Sequence, residues 1–384
     1  MTTSTPPQVS WAQADARRIH RQFLDEPADA PPAAVAAAML GAHAQVLSAA
    51  ELSVALRTAE ATRAEVRAAL WEDRTLVKTY GPRGTVHLLP AADLPLWTGA
   101  LSAIPAGANP VPPDVRMTAA QTDEVLAAIA DALTGVELTA DELTDAIVER
   151  TGSWAGDRVM EAFQDKWPRW RQITHTAAHR GVLCFGRDKS RKVTYTNPGV
   201  RPADGTRALG ELVERYLYAY GPATPQHFAK WLAAPVGWAT GLFAGLAGDG
   251  RIEEVSFEGA AGWVLAGDTV FPAGPARGVR LLPYFDAFTI ASQPRERLFP
   301  GDAYRRALAR GQAGNFPVLL VDGVVAGVWH QRRSGKRITV TVEPLKRLSA
   351  ARLRGLEAQA ERVGAVLEGT PELVIGTVTV GPHA

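Results

Sequence analysis

His43 and Gln45, in the run "LGAHAQVLSAAELSVALR" (residues 40–57), are polar side chains separated by a single alanine. On an α-helix residues i and i+2 diverge, whereas on an extended segment they point the same way. An imidazole and a carboxamide on one extended face can position a water molecule, and a neutral imidazole can take its proton near pH 7. That chemistry needs a connector rather than a helix. An Ala-rich helical run precedes His43, and Ser48 with Glu51 spells the S-x-x-E capping box of a helix that starts just after Ser48. Residues 43–47 are therefore expected to form a connector. The plain alternative is that His43 and Gln45 only bond backbone groups or meet solvent.

The rest of the chain excludes several other chemistries. It has no Gly-rich phosphate loop and no GxSxG, HExxH or GxGxxG in a suitable context, and its eight histidines are dispersed. Cys184, the single cysteine, rules out an intramolecular disulfide framework and a Cys-based zinc site. Inside the apolar "VLCF" it reads as an inert buried thiol. No metal and no cofactor are expected. The 384 residues are 46% apolar and 21% charged, with a formal net charge of +1, an ordinary globular balance. No run of eighteen apolar residues suggests a membrane span, and "MTTSTPPQVSW" has no signal-peptide pattern. A cytoplasmic, nucleoid-associated monomer is expected, with no membrane partner.

The elements that would carry the pair follow a recurring order. "TRALGELVERYLYAYG", "PATPQHFAKWLA" and "VGWATGLFAGLAGDG" read as three helices, with Thr224 as N-cap and Pro225 at the first helical position. "RIEEVSFEGAAGWVLAG" follows as a hairpin. Three helices and a hairpin make a winged helix, a variant of helix-turn-helix. The order recurs upstream in "AAQTDEVLAAIADALTG", "LTADELTDAIVERTG" with a Thr139/Glu142 capping box, "WPRWRQITHTAAHRG" and the hairpin "VLCFGRDKSRKVTYTN". A looser copy ends in "ATRAEVRAALWEDR" and "TLVKTYGPRGTVHLLP". The hairpins start near residues 75, 182 and 251, a repeat of pattern and not of sequence. After residue 275 come strands around tight turns, Asp322-Gly323 among them, suggesting a small barrel or curved sheet, and then a C-terminal amphipathic helix. The fold class is α+β. The expected domains are winged helices over 1–115, 116–204 and 205–274, a β-barrel over 275–347, and a helix and tail over 348–384.

Positive charge gathers on the hairpins. Arg187, Lys189, Arg191 and Lys192 crowd one tip, Arg332, Arg333, Lys336 and Arg337 crowd a turn of the C-terminal sheet, and Arg83 lies in the first wing. Such clusters suit phosphates, and beside three modules of DNA-binding type they point to a nucleic-acid partner. Basic hairpin tips can also be solvated edges with no partner. Trp167 and Trp170 lie near the second recognition helix, where packing is expected over stacking on a base.

"GAHAQVLSAAELSVALRT", "ALWEDRTLVKTYGPRGTVHLLP", "LLPYFDAF" and "LLVDGVVAGVWHQRRSG" occur in an order that resembles the winged-helix DNA glycosylases of the AlkZ/YcaQ-like family. The resemblance spans about residues 15–370, and Arg83-Gly84-Thr85-x-His87 is its most specific piece. It implies tandem winged helices in a C-shaped arrangement with a C-terminal β-barrel. It also implies removal of alkylated purines from DNA and, in some members, unhooking of interstrand cross-links. The catalytic motif of these relatives is Gln-x-Gln or Gln-x-Asp. Here the matching position reads His43-Ala44-Gln45, so Gln45 fits the motif and His43 departs from it. Asp286 in "PYFDAF" is a second acidic candidate, with a buried turn-bonding Asp as the alternative. Thr85 and His87 are supporting candidates better suited to shaping the wing than to chemistry. The competing functions are a non-catalytic winged-helix DNA-binding protein or regulator, which has no use for the His43/Gln45 pair, and a degenerate glycosylase that binds lesions without cutting.

Overall fold

A computed structural model gives the fold and describes residues 6–107, 109, 111–162 and 165–381. The chain forms two compact units. Met1–Asp73 belongs with Val213–Ala384, and Arg74–Leu212 forms the other unit.

In the first unit the strand Gln8–Val9 pairs in parallel with Ile252–Phe257, whose antiparallel partner is Ala260–Leu265. The helix Trp11–Arg21 follows, opened by a reciprocal Ser10/Gln13 capping box. This helix inserts Arg18, which is buried and donates to the carbonyls of Gln293 and Pro222 at 2.8 and 3.0 Å. Three short helices come next, Pro32–Ala38, Leu47–Leu56 and Arg63–Trp71.

The helix Gly205–Tyr220 crosses from one unit to the other, and Pro225–Leu232 and Val236–Gly248 follow it. Thr224 accepts from the His227 amide as the sequence leads one to expect, with Pro225 in the first turn. Tyr216, Phe228, Trp231 and Phe243 fill the space between these helices with ring centroids 5.0–5.9 Å apart. Ala223 bridges Trp263, so the segment before Pro225 lies along the other edge of the hairpin 252–265 from Gln8–Val9.

The C-terminal strands form one sheet in the order Val279–Leu282, Val318–Val321, Val324–Ser334, Arg337–Pro344, Thr370–Ile375. Phe288, Leu298, Phe299, Val318, Leu320 and Val328 build a core that Ile19 and Leu24 from the chain's start complete. Of the small barrel or curved sheet expected, the structure shows an open, half-barrel sheet: its first and last strands have no pairing with each other among the described residues. Two details of the tail also differ from the sequence reading. After the helix Ala350–Val366 the chain adds a strand, and that strand runs parallel to Arg337–Pro344. The helix supplies the crossover that a parallel pair requires.

The second unit opens with the antiparallel hairpin Leu76–Tyr80 and Val86–Pro90, then the helix Leu94–Ser102. The helices Ala119–Ala132 and Ala140–Thr151 both start in reciprocal capping boxes, at Thr118/Gln121 and at the expected Thr139/Glu142. The strands Leu138–Thr139, Thr194–Thr196 and Cys184–Phe185 form a small sheet in that spatial order. The single helix read over "WPRWRQITHTAAHRG" is corrected. Lys166–Pro168 is a strand paired with Arg158–Glu161, Arg169–Ile173 is a 3-10 turn, and only Thr174–His179 is α-helical. Pro168 explains the break, since it disfavours helix at the preceding residue. Trp170 is fully buried as expected, while Trp167 on the extra hairpin is half-exposed and lies against Arg171. Cys184 is buried, and burial pushes its thiol up to about 12, leaving it unreactive.

Candidate active site

The helix Pro32–Ala38 stops three residues before Ala42 through a Schellman turn. The Gly41 amide donates to Ala36 O at 2.8 Å and the Leu40 amide to Ala37 O at 3.0 Å. Leu40, not a glycine, takes the left-handed position, with φ 57°, at a strain of about 1–2 kcal/mol. The turn delivers Ala42–His43 as a two-residue strand, followed by Ala44 and a bend at Gln45 and Val46. The connector expected from the sequence is present, although the pair is asymmetric within it. His43 is buried, at 7% exposure, and Gln45 is exposed. The bend after Ala44 accounts for the difference, because it ends the extended geometry on which i and i+2 would share one environment.

The expected Ser48/Glu51 capping box does not form. The helix begins at Leu47 with Val46 in the cap position and no side-chain cap. Glu51 turns inward instead, fully buried, and accepts from Arg63 Nε at 2.5 Å and Arg67 Nε at 2.7 Å. Its carboxylate goes to these two guanidiniums rather than back to the start of its own helix.

The imidazole of His43 packs on Phe285, with ring centroids 4.5 Å apart and planes tilted by 33°. Phe285 also has a left-handed backbone, φ 53°, and its amide donates to Gly314 O at 2.9 Å. Gly314 is required there: its own φ is 94°, and a Cβ would sit 3.1 Å from Phe285 Cα. Two strained non-glycine residues, Leu40 and Phe285, thus attend His43. Strain of this kind persists where surrounding structure over-determines it, and it clusters at functional sites.

The anchor for Phe285 is the next residue. Asp286 is buried and accepts both terminal nitrogens of Arg57 at 2.8 Å, each partner having 0% of its side chain exposed. It also accepts from Ser53 Oγ at 2.6 Å and, as N-cap of the helix Ala287–Ala291, from the Phe288 amide at 3.0 Å. Asp286 is therefore a structural anchor in the sense of the alternative weighed above. Sequence reading missed Arg57, Ser53 and Phe285; the only hint was the acidic residue in an otherwise apolar "PYFDAF".

Beside the segment lies a cavity of about 150 Å³ whose wall includes Val46, Ser48, Arg63, Tyr284, Trp329 and His330. Burial holds the His330 imidazole below its ordinary value. A larger cavity of about 470 Å³, at the Arg352–Asp322 ion pair, includes none of the candidate residues.

The remaining candidates divide between anchors and exposed cations. Thr85 Oγ1 donates to Pro82 O at 2.9 Å, and His87 Nδ1 lies 2.9 Å from Thr85 O with its ring packed beneath Gly81. Both shape the tight turn of the first hairpin, where Arg83 sits half-buried with φ 61°. Arg187, Lys189, Arg191 and Lys192 are exposed on their hairpin tip. Lys192 pairs with Asp141 at 3.0 Å, and Lys189 donates to Glu137 O. Arg333 is engaged at the end of the helix Ala350–Val366, donating to Leu367 O at 2.6 Å, whereas Arg332 is exposed on the same strand. Among the described residues, no three His, Cys, Asp or Glu side chains converge as metal ligands, and no helix is long and apolar enough to cross a membrane.

Residues 36–366 match the family model described as DNA glycosylase AlkZ-like. The chain is 33% identical over 336 residues to an interstrand DNA cross-link repair glycosylase of Streptomyces sahachiroi, covering 84% of this chain and 88% of that protein. The solved structure of the DNA glycosylase AlkZ of the same organism superposes with a TM-score of 0.79 at 27% identity, over 96% of this chain and all of the other.

Proposed function

Because the chain belongs to the AlkZ-like DNA glycosylase family, we propose that it hydrolyses the N-glycosidic bond of alkylated purines in double-stranded DNA, using His43 and Gln45 and no covalent enzyme intermediate. The observation that carries this reading is the connector itself. A buried, ring-packed imidazole and an exposed carboxamide lie two residues apart, after the left-handed Leu40 turn and with the imidazole against the left-handed Phe285.

An alkylated purine that carries positive charge is already a good leaving group, so the departing base needs little protonation. What remains is to stabilise an oxocarbenium-like sugar and to deliver water to the anomeric carbon, as in other glycoside hydrolysis. Gln45, open to the substrate side, holds that water or the sugar through its amide. Neutral His43 accepts the water's proton as the carbon–oxygen bond forms and the base leaves with the glycosidic electron pair. An interstrand cross-link contains the same bond on each strand, so the chemistry extends to unhooking; the S. sahachiroi relative is named an interstrand DNA cross-link repair glycosylase.

The recurring elements support a tandem winged-helix reading of the DNA-binding surface. In the unit Arg74–Leu212 the strand before the second helix pairs with the last strand of the hairpin, and Ala223 makes the same kind of pairing with Trp263 in the other unit.

The test is incubation with duplex DNA carrying N7-alkylguanine or N3-alkyladenine. Abasic sites should accumulate in EDTA, with strand breaks only after alkali and no borohydride-trapped adduct. Gln45→Ala should lower single-turnover excision by about 10²-fold, the scale of one positioned catalytic group, with lesion affinity within a few fold. The wild-type rate should fall as the imidazole protonates, and the His43→Gln rate should not. Tight lesion binding with no released base would favour the non-catalytic reading.

A further inference from the structure

Glu51 lies six residues after Gln45, and none of its side chain is exposed. A buried carboxylate is costly unless it is paired. Its partners, Arg63 and Arg67, stand four residues apart on the helix Arg63–Trp71 and so share one face. Each reaches Glu51 through Nε, at 2.5 and 2.7 Å. A guanidinium held at Nε keeps one Nη amino group on the same edge and the other on the far side, and neither arginine makes a hydrogen bond through Nη within the described residues. The two side chains are 28% and 47% exposed. Two cations over one anion leave a net positive charge.

This is unlike a surface ion pair, in which both partners are mobile and solvated. Here the shared anion is fixed in the interior and holds two partly exposed guanidiniums whose Nη groups are left open. Arginine forks match tetrahedral oxyanions in bidentate fashion, and fixing them beforehand lowers the entropy lost on binding. The location is also specific: Arg63 shares the small cavity with Val46 and Ser48, one and three residues after Gln45.

We propose that Arg63 and Arg67, aimed by Glu51, clamp a DNA backbone phosphate beside the nucleotide being excised. The clamp rests on the glycosylase reading and adds to it a fixed point from which Gln45 is set against the sugar. Neither arginine belongs to the basic hairpins, and each is placed by a buried carboxylate that the sequence alone presents as a helix cap.

The experiment uses duplexes with one alkylated purine and a neutral methylphosphonate replacing each flanking phosphate in turn. Arg63→Ala and Arg67→Ala are made singly, because each leaves Glu51 one partner, and their folding is checked by thermal melting. At one flanking position the methylphosphonate should weaken wild-type binding by about tenfold and each variant by less than twofold. The dependence of log affinity on log salt should flatten by about one unit in each variant. Arg67→Lys, which keeps the charge but loses the fork, should recover the salt slope without recovering the full methylphosphonate penalty. Equal penalties in wild type and variants, together with wild-type excision, would overturn the clamp alone. Wild-type protein that binds no DNA would overturn both the clamp and the reading beneath it.

Discussion

Asp286→Ala removes one member of a fully buried ion pair, an acceptor for Ser53 and the cap of a helix. Leaving Arg57 charged and unpaired in the interior costs about 3–5 kcal/mol. Loss of the cap adds about 1 kcal/mol. Together these approach half of a typical domain's stability, and a melting midpoint about 10–20 °C lower is expected for a unit of this size. The informative companion is the double replacement Arg57→Met with Asp286→Leu. Apolar residues of similar volume in place of a buried pair are often neutral or stabilising, so the double variant should regain most of the midpoint. Excision should not return with it. Asp286 fixes the chain next to Phe285, whose left-handed backbone sets the ring on which His43 packs. Once that anchor is gone Phe285 relaxes and His43 loses its orientation. Thermal melts followed by single-turnover excision would show stability restored and the rate still at least about tenfold low, the effect of a misplaced catalytic group. A double variant with both wild-type melting and wild-type excision would refute the positioning argument, and Asp286→Ala melting within 2 °C or so of wild type would refute the energetics.

Burial pushes the Asp15 carboxyl from 3.8 up to about 7, against a lowering pull from Arg18. Its folded value lies above its unfolded one, so its contribution is fully present below about pH 4 and is lost as pH rises through about 7, a change of up to about 4 kcal/mol. Asp15→Asn should therefore melt higher than wild type at pH 8 and show a flatter stability profile in urea titrations from pH 4 to 8; a wild type that gains stability over that range would contradict this. On the hairpin tip, Lys192 is tied by an exposed ion pair, and Lys189 by an exposed ion pair and a bond to the Glu137 carbonyl, exposed contacts that DNA phosphates can replace at little cost. Changing Arg187, Lys189, Arg191 and Lys192 together to Ala should weaken binding of lesion and undamaged duplex alike. It should also reduce the salt slope by about one unit for each phosphate no longer neutralised; an unchanged slope would remove this hairpin from the interface.

The elements most legible in the sequence were those whose signals are local. Thr139/Glu142 and Thr224/Pro225 announce helix starts through side chains that reach only three residues, and both formed as read. Ser48/Glu51 has the same spelling and failed, because Arg63 and Arg67 compete for Glu51 from another helix. Local grammar cannot register a partner a dozen residues away. The same reason hid the support of His43: Arg57 and Asp286 are 229 positions apart, and nothing at Arg57 distinguishes it from a surface arginine. The strand Thr370–Ile375 was missed because its parallel partner lies on the far side of a seventeen-residue helix and its exposure pattern is that of an edge.

The pairing of Gln8–Val9 with Ser256–Phe257 has a consequence for how the protein is made. The two segments of the unit that carries His43 are made at different times, with Arg74–Leu212 emerging between them. At ordinary elongation rates those 139 intervening residues take roughly 7–28 s to synthesise. Throughout that interval the segment bearing the strained Leu40 turn lacks Phe285 itself, as well as the Asp286 and Gly314 that hold it. The connector can reach its working shape only after the C-terminal sheet has been made, so a nascent chain stalled before residue 286 cannot display a finished site, whatever DNA-binding surface it has already folded.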